Sequence, residues 1–300
     1  MFLEAQEISK TSAWILAIRP RTLPAAVAPV MVGAAMAFAD HGFKFFPALA
    51  ALTGALLLQI GVNLANDYFD YVKGVDTSDR LGPVRVTQSG LISPDQVRAG
   101  MILVFILAVG VGGYLVAVGG WPILLVGCAA IIAALSYSGG PYPLASHGLG
   151  DLFVFIFFGL VAVCWTYYVQ IHQLTPATVL MAVPLGLLIT AILVVNNLRD
   201  INTDRKAGKN TLAVILGEQG ARTEYILLIV VAYLLPLVFW LAGLLPAGVL
   251  LPLVSLPLAI SWICIIMKSE GPVLNQALAG TAKTTLIYSL LLSIGIILSF

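Results

Sequence analysis

The sequence predicts an all-α integral membrane protein, a bundle of about nine transmembrane helices, and three observations carry that prediction. Hydrophobic residues make up 60% of the 300-residue chain and charged residues only 10%, against about a quarter charged in a soluble domain. That leaves too little polar surface to cover a water-facing globule. The apolar residues, with a mean hydropathy of +1.01, fall into runs of about 20, the length a helix needs to cross a bilayer. The charges, finally, gather between the runs. A net charge of +1 supplies no field that would draw nucleic acid. Cys128, Cys164 and Cys264 lie in apolar runs without metal-ligand spacing, which excludes a disulfide framework.

The expected spans are 14–38, 47–66, 99–118, 121–138, 150–170, 176–198, 224–243, 246–267 and 274–298, all within one domain over 1–300. The first follows a polar segment, 1–13, and has no short hydrophobic core ending in small residues, so it reads as a retained span rather than a signal. Several spans contain Pro or Gly, which membrane helices tolerate. The shortest break is Gly119–Gly120–Trp121. With the N-terminus in the cytoplasm, the cytoplasmic side holds fourteen of the fifteen Lys and Arg residues, all but Lys44. The positive-inside rule therefore orients the chain. Lys283, inside the ninth run, is compatible with either snorkelling or a bundle-facing side chain.

Eight of the fourteen acids lie in two segments on that same side, 67–98 and 199–223, interleaved with nine of the bases, and Glu224 follows directly as a ninth. The first opens Asn63-Leu-Ala-Asn66-Asp67-Tyr-Phe-Asp70-Tyr-Val-Lys73-Gly-Val-Asp76. The second opens Asn196-Asn197-Leu-Arg199-Asp200-Ile-Asn-Thr-Asp204-Arg205-Lys206-Ala-Gly-Lys209. If the preceding helices continue, Asn66 and Asp70 share a face, and Asn196, Asp200 and Asp204 form a longer stripe at the same four-residue spacing. Asp200 aligns with Asp70 as in a weak internal duplication.

Carboxylates at that spacing repel one another and are costly to desolvate near a membrane. Asp and Asn oxygens without His or Cys suit a hard cation such as Mg²⁺, which keeps few protein ligands and completes its shell with water and substrate phosphate. Neighbouring Arg and Lys side chains then suit the remaining phosphate oxygens. Two acidic half-sites with interleaved bases thus read as a cage for a diphosphate carried by metal. Solvated loop charges paired with neighbouring bases are the plainer reading of one such cluster. A secondary transporter is the rival from another class, but it predicts polar residues at the bilayer midplane, where these spans are almost wholly apolar.

These residues resemble the paired motifs of the UbiA-type membrane prenyltransferase superfamily, and within it the 1,4-dihydroxy-2-naphthoate polyprenyltransferase branch of menaquinone biosynthesis. The resemblance rests on Arg19-Pro-Arg-Thr-Leu-Pro-Ala-Ala, Leu64 to Asp76, Asp79-Arg-Leu-Gly-Pro-Val-Arg85-Val-Thr-Gln, Gly148-Leu-Gly-Asp151 and Asn196 to Leu212. It runs from about residue 14 to 217, and the last third of the chain adds little. Many superfamily members carry their third acid where this chain has Gly74; here the next acid is Asp76, in the Lys-Gly-x-Asp form of the naphthoate branch.

The resemblance implies Mg²⁺ bound by Asn66, Asp67, Asp70, Asp76, Asn197, Asp200 and Asp204, with Asp67, Asp70, Asp200 and Asp204 central to catalysis. It implies a polyprenyl diphosphate donor whose lipid tail lies between helices, in contact with membrane lipid. Lys73, Arg80, Arg85, Arg199, Lys206 and Lys209 are the candidates for its diphosphate. The metal and bases would stabilise the departing diphosphate, and the ring of 1,4-dihydroxy-2-naphthoate would attack the allylic cation with loss of carbon dioxide. Arg19, Arg21 and Asp151 are candidates for that acceptor, although Asp151 also suits the helix dipole. Tyr137 suits the cation as well as it suits an interfacial belt. Other aromatic acceptors, 4-hydroxybenzoate and homogentisate, would use the same chemistry. The implied setting is a prokaryotic cytoplasmic membrane with the site on the cytoplasmic side.

Overall fold

Polar residues that cap helix starts, and prolines in first turns, divide the apolar sequence into ten helices. The computed structural model describes residues 8–75 and 81–299, so the expectations for Asp76 and Arg80 lie outside the described residues. The helices are α1 (Lys10–Ile18), α2 (Pro24–Ala39), α3 (Phe45–Val72), α4 (Pro94–Gly119) and α5 (Trp121–Ser138). They continue with α6 (Gly150–Ile171), α7 (Pro176–Lys206), α8 (Leu212–Leu241), α9 (Ala247–Lys268) and α10 (Gly271–Ser299). Ser93 opens α4 with a capping box to Gln96, and the hydroxyls of Thr175 and Thr211 cap α7 and α8. Each cap satisfies an N–H that the first turn leaves without a partner. Among the described residues there is no β-strand, only a single bridge between His147 and Asn210.

Eight helices are long and apolar enough to span a membrane, and α1 with α2, bent by 51° at the break between them, makes a ninth if the pair is counted as one span. This multi-pass membrane bundle matches the expected architecture, with two departures. The first span is not a straight helix over 14–38. Arg19 takes a left-handed conformation (φ 55°), and Pro20 and Pro24 restart the chain after it. One carbonyl at the break and the hydroxyl of Thr22 are met from α3: Asn63 Nδ2 donates to Ile18 O (2.8 Å) and to Thr22 Oγ1 (3.1 Å), and Gln59 Nε2 also donates to Thr22 Oγ1 (3.1 Å). Broken helices within a membrane survive only where such groups find protein partners.

The second departure is at the acidic segments. They are not loops from their first residue: α3 runs to Val72 and α7 to Lys206, so their acids sit on the last turns of long helices. The seventh span begins at Leu212, not 224, and turns at Gly217, whose φ of 74° a side chain would strain. Inside α6, Phe155–Val161 winds as a π-helix, a form found mostly as local bulges at functional sites. There Gly159 packs on α7 so closely that a Cβ would stand 2.5 Å from the Cα of Gly186.

The core divides in two. One cluster joins α2 with α6 through α10. A smaller one joins α1, α3, α4 and α5 with the strap over residues 81–93 that leads into α4. The side chain of Lys283 is exposed on α10 and does not enter the bundle.

Candidate active site

Between the two core clusters lies a cavity of about 590 Å³. At one end the last turns of α3 and α7 bring their acids together, because each long helix carries its polar stripe past the apolar span. Three carboxylates line this mouth, Asp70, Asp200 and Asp204, together with the amides of Asn66, Asn196 and Asn197 and three cations, Arg19, Arg85 and Lys209. Below them the lining turns apolar, past Tyr137, Phe153 and Phe157 to Trp165, Val169 and Ile123. Gly112, Gly113 and Gly127 also face this shaft, and a Cβ at each would meet nothing within 4 Å. The chamber is thus charged at its mouth and apolar along its depth.

Charge at the mouth is paired across elements. Asp70, buried on α3, accepts from Arg85 Nη2 of the strap and from Lys209 Nζ of the α7–α8 loop, each at 3.0 Å. Lys209 therefore ties the second acidic segment to the first. Asp200, buried on α7, is gripped by its neighbour Arg199, with Nε to Oδ1 at 2.9 Å and Nη2 to Oδ2 at 2.5 Å. Asn66 accepts a short hydrogen bond from the Ser138 hydroxyl at the end of α5.

The geometry gives several expected residues other partners. Asp67, expected at the metal, does not line the cavity. It is 2% exposed, and its two oxygens accept from the backbone N–H groups of Val86 and Thr87, 3.2 Å each, so it anchors the strap. Arg199, expected at the diphosphate, is likewise absent from the cavity wall, and three of its nitrogens serve Asp200, Asn196 and Asn275. Lys73 donates to the carbonyls of Ser138 (2.7 Å) and Gly140 (3.3 Å). Partial burial draws its pKa below the ordinary lysine value, opposed by Asp70 and assisted by Lys209. Lys206 and Arg21 are exposed and outside the cavity. Asp151 is buried behind the wall with neither oxygen partnered, and the hydroxyl of Tyr137 packs against the adjoining Gly150.

Sequence reasoning missed Gln59, Asn63 and Thr22 as the brace of the first-span break, and Ser138 and Thr211 as polar wall residues. Asn63-x-x-Asn66 and Arg19-Pro-Arg-Thr22 were the available signals.

Among the described residues, no three His, Cys, Asp or Glu side chains converge closely enough to hold one ion by themselves. The donors at the mouth are nonetheless all hard oxygens, carboxylate and amide. That is the set Mg²⁺ uses when substrate phosphate and water complete its shell.

The UbiA prenyltransferase family model matches residues 26–292. The chain belongs to the UbiA prenyltransferase family. Relatives include the 1,4-dihydroxy-2-naphthoate octaprenyltransferase of Escherichia coli, 42% identical with 98% of each chain covered. That of Haemophilus influenzae is 36% identical, over 96% of this chain and 97% of the relative. The fold is also that of a UbiA homologue from Archaeoglobus fulgidus solved with GPP and Mg²⁺. The two superpose with a TM-score of 0.67 at 17% identity, over 95% of this chain and 99% of the other. Membership accounts for the shared bundle.

Proposed function

We propose that this prenyltransferase joins a polyprenyl group to 1,4-dihydroxy-2-naphthoate with decarboxylation, giving demethylmenaquinol or its quinone. The observation that carries the reading is the chamber's two-part lining. A diphosphate needs the cations and oxygen donors of the mouth, and its polyprenyl tail needs the apolar shaft. The identity to naphthoate octaprenyltransferases over nearly the whole chain supports the choice of acceptor.

Asn66, Asp70, Asn197, Asp200 and Asp204 would hold Mg²⁺, which would supply Lewis-acid neutralisation of the leaving diphosphate. Arg85 and Lys209 already stand at Asp70 and would meet phosphate oxygens, as would Arg19, which also lines the cavity. Cleavage of the allylic C–O bond leaves the electron pair on diphosphate and a cation on the prenyl carbon. Tyr137, where polar wall gives way to apolar, presents a ring to that cation. The apolar shaft excludes water, which would otherwise trap it as the alcohol. The naphthoate ring supplies the electrons for the new C–C bond, and loss of the carboxyl as carbon dioxide returns a pair to the ring. No protein nucleophile is required. Membrane topology follows the basic residues, with the N-terminus and the mouth on the cytoplasmic side of a prokaryotic inner membrane.

The test is prenyl transfer by the purified chain in detergent, with and without Mg²⁺, offered 1,4-dihydroxy-2-naphthoate and 4-hydroxybenzoate in parallel. Metal-dependent product from naphthoate alone is expected. Product from benzoate alone would keep the chemistry and replace the acceptor.

A further inference from the structure

Asn275, near the start of α10, joins two parts of the mouth that come from distant stretches of sequence. Its Oδ1 accepts from Arg199 Nη1 at 2.9 Å, and its Nδ2 donates to the carbonyl of Leu81 in the strap at 3.1 Å. The chemistry of the partners fixes the amide's orientation: a guanidinium only donates and a backbone carbonyl only accepts, so oxygen must face Arg199 and nitrogen Leu81. No charged side chain meets both demands.

Both partners lead to the acids. Arg199 is 3% exposed and holds Asp200 with two hydrogen bonds. Further along the strap, Arg85 reaches Asp70, while the N–H groups of Val86 and Thr87 are held by Asp67. The strap is therefore anchored by α3 at one point and by α10 at another, and the second anchor is the residue that also braces the arginine behind Asp200.

We propose that Asn275 is a positioning residue that keeps the strap in register with the Arg199–Asp200 pair, so that Arg85 faces the cavity together with Asp200, which would meet the diphosphate through Mg²⁺. The inference rests on the reading that diphosphate occupies the mouth. It assigns Asn275 to donor binding and not to the chemical step.

Two variants separate the amide's two bonds. Asn275→Asp keeps an acceptor for Arg199 and places a carboxylate against the Leu81 carbonyl; Asn275→Leu removes both bonds. The full chain in detergent is followed first by hydrogen exchange of the strap amides, without ligand and with inorganic pyrophosphate plus Mg²⁺. Loss of one hydrogen bond is worth about tenfold in local opening, so strap exchange rises by about that factor in both variants. The pyrophosphate concentration for half-protection rises likewise, and KM for the polyprenyl donor increases while kcat stays within about threefold. Asn275→Asp retains the wild-type melting temperature, whereas Asn275→Leu lowers it.

Strap exchange unchanged in Asn275→Asp overturns the proposal. So does faster exchange with unaltered pyrophosphate protection, and so does a loss confined to kcat. If the wild-type chain transfers to neither acceptor while the variants still weaken pyrophosphate protection, the positioning role stands and the proposed reaction fails.

Discussion

The two acidic segments look alike in sequence, and their described ion pairs differ. On α3, Asp70 is paired by residues from elsewhere, Arg85 of the strap and Lys209 of the α7–α8 loop. On α7, Asp200 is paired by the residue beside it. The companion acids diverge further. Asp67 is consumed by two backbone N–H groups of the strap, whereas Asp204, four residues beyond Asp200, lines the cavity. Among the described residues, Asp70 is thus paired across elements and Asp200 by a base of its own helix. An apparent duplication in spacing does not imply a duplication in role.

The largest effect should erase this difference. Asp70→Ala and Asp200→Ala each remove a carboxylate from the mouth, and each should lower kcat/KM by about 10²- to 10³-fold, the scale of removing one group that stabilises transition-state charge. Turnover with naphthoate and a polyprenyl diphosphate checks it. A loss in only one of the two would mean that one half-site carries the donor alone.

The companion acids should separate where the first pair agree. Asp67→Ala strands two buried N–H donors, at about 1–3 kcal/mol of desolvation penalty, so its apparent melting temperature in detergent should fall together with activity. Asp67→Asn, which keeps one acceptor oxygen, should recover part of both. Asp204→Ala should lose activity without a comparable fall in melting temperature. Equal melting temperatures for Asp67→Ala and wild type would remove the strap-anchor role.

The same divergence marks what was legible in the sequence. Nine spans and the pairing of Asp70 with Asp200 could be read because apolar run length and four-residue spacing are local properties. That Asp67 turns away from its neighbours at the mouth could not, since its fate is decided by N–H groups nineteen and twenty residues on. The break at Arg19 was visible as Pro-Arg-Thr, but its tolerance depends on Gln59 and Asn63 from another helix. Asn275 gave no signal at all in a stretch that reads as generic apolar helix; its meaning comes only from Arg199 and Leu81.

Arginine geometry gives a smaller effect that sharpens the comparison. Arg199 uses two nitrogens on one carboxylate, and Lys cannot reproduce that fork. Arg85 is seen on Asp70 through Nη2 alone, an interaction a lysine ammonium imitates better. Arg199→Lys should therefore lower kcat/KM by about tenfold, and Arg85→Lys by less, on the scale of a charge-assisted hydrogen bond. Steady-state kinetics on both variants at saturating Mg²⁺ decide it. The reverse order would place Arg85, not Arg199, in the more demanding geometry.

The smallest expected effect lies between two lysines three residues apart, one ending α7 and one in the loop after it. Lys206 and Lys209 are both bases of the second segment, and spacing alone treats them as equals. Lys206 is exposed outside the cavity, where a substitution is ordinarily worth within about 0.5 kcal/mol, so Lys206→Ala should leave KM for the donor within about twofold. Lys209 reaches across to Asp70 at 3.0 Å, and its removal leaves Arg85 as the remaining cation on that carboxylate among the described ion pairs. Lys209→Ala should raise donor KM by several-fold, about the worth of one charge-assisted bond, with the difference shrinking as salt is added, since Lys209 is partly exposed and screened. Equal responses from the two lysines would mean that the diphosphate senses the general positive charge of the loop, and that the bridge from the second segment to the first contributes nothing to binding.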